Sequence, residues 1–104
     1  MNRTVRHHDY LMKHLTHPLE AAAYLNAAAE EGDLRFLLKA LRNVVEAQGG
    51  IGPLARKTKF SRTALYKTLS SEGNPEVSTL DAILRIYGIR IGFFAKETRH
   101  PRAA

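Results

Sequence analysis

At 104 residues the chain has the size of one small domain, with room for a real but modest core. Its 44% apolar content excludes a wholly disordered chain, and the absence of cysteine excludes disulfides and thiolate metal sites. The net charge of +6 favours an anionic partner, and it is unevenly spread: residues 18–50 carry five acids against three bases, whereas residues 55–67 carry five bases and no acid.

No run of residues approaches the roughly 18 apolar positions of a membrane helix. The first residues, MNRTVRHHDYLMKHLTH, are polar where a secretion signal would be apolar. A reducing cytoplasm is the expected setting, with no membrane contact.

Residues 1–17 form an N-terminal segment in which Asp9 is a candidate cap for a short turn of helix. That turn would carry Tyr10, Leu11, Met12 and Leu15. Thr16, His17 and Pro18 open a better helix, because proline suits a first helical turn. Ala21, Ala22, Leu25 and Ala28 give it an apolar face, and Gly32 stops it. Asp33 is placed to cap the next helix. Its apolar residues Leu34, Leu37, Leu38, Leu41, Val44 and Val45 recur at the 3.6-residue period of a core helix. Gly49 and Gly50 end it.

A short helix is expected over residues 51–59, with Ile51, Leu54 and Ala55 inward. Ser61 caps a second over residues 62–70, which buries Leu65 and Leu69. Glu72, Gly73, Asn74 and Pro75 make a loop by turn chemistry. Ser78 and Asp81 form a pair like a capping box, ahead of a helix that buries Leu80, Ile83, Leu84 and Tyr87. Gly88 stops that helix. Residues 89–95, IRIGFFA, change to a period of two, which predicts one strand. A lone strand must pair elsewhere. Ile89, Ile91 and Phe93 are therefore the candidate dimer strand, unless the partner lies near the N-terminus. Residues 96–104 read as a basic, flexible tail.

Residues 51–70 have the layout of a helix-turn-helix. Two such helices cross closely, so a small residue is needed at the crossing, and Ala55 supplies it. Leu65, ten positions on, anchors the second helix in the core. Lys59 falls where such turns usually take glycine, so a positive φ costing roughly 1–2 kcal/mol is expected there. With Leu65 and Leu69 inward, the second helix presents Arg62, Thr63, Tyr66 and Lys67. These are the candidate base-reading residues: arginine can pair with guanine and threonine can touch a thymine methyl. Lys57, Lys59 and Ser61, in or beside the turn, are the candidate phosphate contacts. The plainer account of such a cluster is a solvated basic helix face. Agreement between the packing pattern and the charge favours DNA.

Other chemistry has little support. His7, His8, His14 and His17 fall close together, and His14 and His17 have a spacing that could share a metal. No acid or cysteine completes a site, so no metal and no cofactor are expected. There is no glycine-rich phosphate loop, cysteine nucleophile or apolar carboxylate pair. Ser61 is explained as a cap, so no catalytic residue is assigned and no enzyme is expected. Tyr24, Phe36, Tyr87, Phe93 and Phe94 read as core or interface aromatics.

The segments AAEEGD, LARKTKFSRTALYKTLS and GNPEVSTLDAILRIYGIRI resemble the addiction-module antidote proteins. These are small antitoxins of the lambda-repressor-like (Cro/XRE) helix-turn-helix superfamily. The resemblance spans roughly residues 19–95, and SRTALYKTLS followed by GNP is its most specific part. Most relatives have glycine where Lys59 stands. The resemblance implies a mainly α fold, a lambda-repressor-like DNA-binding domain of about five helices over residues 18–95 with one C-terminal β-strand. It also implies an operator-binding homodimer that represses its own operon and neutralises a co-encoded toxin, often similar to the RelE-type ribosome-dependent RNases. A basic toxin would suit the acidic residues Glu20, Glu30, Glu31 and Asp33. The alternatives are a stand-alone or phage-derived XRE-type regulator without a toxin, and an interaction module that no longer reads DNA.

Overall fold

Six helices follow one another in the computed structural model, which describes residues 3–96 and side chains from His7 onward. They are α1 (Arg3–His14), α2 (Pro18–Glu30), α3 (Leu34–Ala47), α4 (Ile51–Lys57), α5 (Arg62–Thr68) and α6 (Val77–Ile86). The tail expected at 96–104 lies outside the described residues, Lys96 excepted.

The middle of the chain follows local chemistry. Pro18 starts α2, and Asp33 caps α3 by accepting a 2.9 Å hydrogen bond from the backbone N–H of Arg35. The α3 stripe is the centre of the core, with Leu38, Leu41, Val44 and Val45 buried. Leu34, at its open end, stays 43% exposed. α2 packs on α3 through Ala21, Leu25 and Ala28, and Asn43 donates a 2.8 Å hydrogen bond to the Tyr24 hydroxyl between them. Gly49 and Gly50 both adopt positive φ (110° and 94°), which turns the chain sharply from α3 into α4. α4 then touches α3, α5 and α6, placing Leu54, Leu65, Leu69 and Ile83 in the same core.

Four expectations need correction. The N-terminal segment is not a short turn capped by Asp9. α1 runs through twelve residues with Asp9 in its middle, and it precedes the five helices, α2 to α6, expected over residues 18–95. Tertiary anchoring explains it. Leu15 is 1% exposed in the core, Gln48 donates to the carbonyls of Leu15 and Thr16, and the His8 ring bonds Glu46 of α3 at 3.0 Å.

Ser78 and Asp81 form no capping box. α6 begins at Val77 behind Glu76, without a side-chain cap, and Asp81 instead pairs one turn on with Arg85 at 2.9 Å.

Lys59 takes no positive φ. Among the described residues only Gly32, Gly49, Gly50 and Gly88 do. Extended Thr58 opens the turn instead, its hydroxyl donating to the Leu54 carbonyl at 3.0 Å and accepting from the Phe60 N–H at 3.3 Å. The expected strain is absent.

The C-terminal β-strand is not present among the described residues. A strand needs a partner backbone, and the N-terminal segment, the expected alternative partner, is helical. Residues 89–96 therefore run without regular structure: Ile89 is buried, Ile91 half-buried, and Phe93 and Phe94 stand 93% and 83% exposed. They border an open groove of about 500 Å³ whose far walls are Ala22, Leu25, Leu37 and Leu84.

Tyr87 carries a consequence for stability. Its hydroxyl is buried without a hydrogen-bond partner among the described residues, and burial pushes its pKa up to about 12 from the ordinary 10.0. The folded chain therefore holds the phenol proton at a pH where the unfolded chain has lost it. Tyr87 costs nothing extra below pH 10, then lowers stability by up to about 1.4 kcal/mol per unit as pH rises from 10 toward 12. Tyr87→Phe should remove that alkaline loss. At pH 7 it should be neutral or stabilising by about 1 kcal/mol, because the orphaned hydroxyl goes. Denaturant melts of both proteins at pH 7, 10 and 11 test this. A Tyr87→Phe protein less stable at pH 7 would mean that the hydroxyl has a partner.

Candidate nucleic-acid interface

α4 and α5 are seven-residue helices packed on one another and joined by residues 58–61. Ser61 starts α5 as expected: its hydroxyl accepts a 3.0 Å hydrogen bond from the Ala64 N–H. Leu65 is 1% exposed and holds the helix in the core, and Leu69 closes it at 2%. Ala55 packs half-buried against the core. α4 and α5 end at Lys57 and Thr68, two residues short of the expected ends, because the Thr58 turn and the Leu69 cap come earlier.

One surface results. Arg56, Lys57, Lys59, Ser61, Arg62, Thr63, Tyr66 and Lys67 are all exposed, Tyr66 by 64%. The salt bridges among the described residues join His8 to Glu46, Arg35 to Asp33 and Arg85 to Asp81, so none of the five cations is neutralised by one. Like charges gathered without counter-charge create a positive potential that attracts a polyanion. Glu46 is an acid at the border of this face. It lines a shallow pocket with Tyr66, Ile51 and Arg42.

Three residues outside the expected site shape it. Arg42 of α3 donates from Nη1 to the Leu69 carbonyl at 2.6 Å, fastening the last turn of α5 to the core helix. Arg56 and Gly52 matter because the Arg62 guanidinium, though exposed, reaches from α5 to α4. It lies back over Gly52, and so does that of Arg56. Arg42 sits on the polar side of a regular amphipathic helix, and glycine in a first helical turn has no special signature. Neither could be singled out from spacing.

The other candidates stand apart. Ile89, Ile91 and Phe93 border the groove, which no residue of α4 or α5 lines. His14 turns its ring onto Tyr10, centroids 4.1 Å apart, and bonds the Tyr10 carbonyl at 3.0 Å. Among the described residues no group of three or more histidine, aspartate or glutamate side chains is arranged to hold a metal. No helix there is long and apolar enough to cross a membrane.

One comparison with known proteins identifies a family. A family model described as "Probable addiction module antidote protein" matches residues 5–95. An uncharacterized protein of Haemophilus influenzae is 32% identical over 78 residues, covering 75% of this chain and 79% of that protein. No solved structure matches. With the match running from α1 past α6, the chain belongs to the addiction-module antidote protein family.

Proposed function

We propose that the protein is a cytoplasmic antitoxin of the Cro/XRE helix-turn-helix type, binding its own operator as a dimer and neutralising a co-encoded toxin. Its work is binding, not catalysis. The observation that carries the DNA half is the exposed α4–α5 face with five cations in no salt bridge. In this reading α5 enters the major groove, with Thr63, Tyr66 and Lys67 toward base edges and Lys57, Lys59 and Ser61 on phosphates. Family membership supports the toxin half. The exposed acids of α2 and its C-terminal turn (Glu20, Glu30, Glu31), with Asp33, suit a basic toxin of the RelE-like RNase kind.

Segment 89–95 serves as the dimer contact. Its backbone has no strand partner among the described residues, and a second copy related by a two-fold axis would supply one. Two recognition helices would then sit one DNA turn apart, about 34 Å, on an inverted repeat.

The test is a salt titration of binding to the DNA upstream of the gene, beside a scrambled duplex of equal length. The upstream duplex should stay preferred as salt rises. Equal affinities that collapse together would reduce the interaction to phosphate attraction, and a pure interaction module would replace the repressor.

A further inference from the structure

Gly52 lies in the first turn of α4, and two guanidiniums cover it. A Cβ built there would stand 3.3 Å from Nη2 and 3.7 Å from Cζ of Arg62, and 3.6 Å from Nη1 of Arg56. One arginine comes from four residues later on α4, the other from the start of α5. The two cations thus converge on one patch of bare backbone, and neither is in a salt bridge among the described residues. Two like charges brought together repel unless an anion sits between them. The planar guanidinium fork fits phosphate oxygens, and two forks can grip one group from two sides. Glycine keeps the floor of the notch clear.

We propose that Arg56 and Arg62, over Gly52, form a seat for a single phosphate group of the DNA backbone. The inference rests on the DNA-binding reading above and deepens it. Arg62 becomes a backbone ligand, and base reading falls to Thr63, Tyr66 and Lys67. The seat also spans the junction of the two helices, so a bound phosphate fixes α4 against α5.

The test has a free-ion arm and a DNA arm. In the first, inorganic phosphate is titrated while the arginine Nε–Hε signals are followed by NMR. Those of Arg56 and Arg62 should move together and saturate. Gly52→Asp, which places a carboxylate between the guanidiniums, should abolish the shift. In the second, Arg56→Ala and Arg62→Ala should each lower the salt slope by roughly 0.9, about eightfold in affinity at 0.1 M salt, on upstream and scrambled duplexes alike. Circular dichroism checks that each variant folds. Arg56→Ala, at an exposed site, keeps the test open if Gly52→Asp does not fold.

Loss of the upstream preference in Arg62→Ala would overturn the seat and return Arg62 to the bases. Unchanged slopes with sequence preference intact would overturn the seat alone. Saturable phosphate shifts in a protein that binds no duplex would uphold the anion seat and overturn the DNA reading.

Discussion

Gly73→Ala is expected to destabilise the fold by about 3 kcal/mol, a fall of more than roughly 10 °C in Tm for a domain of this size. The loop after α5 doubles back on that helix. The Gly73 N–H donates to the Ser70 carbonyl at 3.0 Å, and the Ser70 hydroxyl donates to the Lys67 carbonyl at 2.8 Å. A Cβ on Gly73 would overlap the carbonyl oxygen of Thr68 and stand 3.1 Å from that of Lys67. Both are backbone atoms, so no rotamer change relieves the clash. Either the loop or the end of α5 must move. Gly52→Ala is the control: there the nearest atoms the added methyl meets are the tips of two flexible arginines, and the change should be small. Thermal melts by circular dichroism distinguish the two. A loss under about 1 kcal/mol for Gly73→Ala would show that the loop lifts freely from α5.

Replacing Arg56, Lys57 and Lys59 together by alanine should have the largest effect on DNA. The three lie at the end of α4 and in the turn, all exposed. Each neutralised phosphate contributes about 0.9 to the slope of log affinity against log salt. Losing three contacts lowers the slope by roughly 2.7, which is several hundred-fold in affinity at 0.1 M salt. The preference for upstream over scrambled DNA should survive, because phosphate contacts carry no sequence information. Surface substitutions of this kind cost little stability, so the melt should stay within about 0.5 kcal/mol. A slope that does not change would place the DNA on another face.

Much of this structure was legible where short-range chemistry decides it. The Asp33 and Ser61 caps depend on residues two and three positions ahead, and both form as the spacing implies. The α3 stripe is read from its period because one face must be buried. What was not legible depends on distant partners. α1 is long because Leu15, Gln48 and the His8–Glu46 bond tie it to α3, some thirty or more residues away. Segment 89–95 alternates like a strand, yet alternation cannot supply the second backbone. At Lys59 the glycine rule for such turns does not hold, because Thr58 organises the turn. Its hydroxyl bonds both sides of the turn and makes a positive φ unnecessary. The convergence of Arg56 and Arg62 on Gly52 depends on how two helices cross, which no single-helix pattern encodes.

The order of packing has a kinetic meaning. α2 lies on α3, and α4 on α5, so the main partners are neighbours along the chain. Few long loops must close before native contacts form, and helical domains built this way fold in microseconds to milliseconds. Synthesis of 104 residues takes roughly 5–20 s. Folding is then thousands of times faster than translation. For a member of an antidote family, the supply of binding-competent protein follows the rate of its synthesis, with no lag while the chain finds its shape.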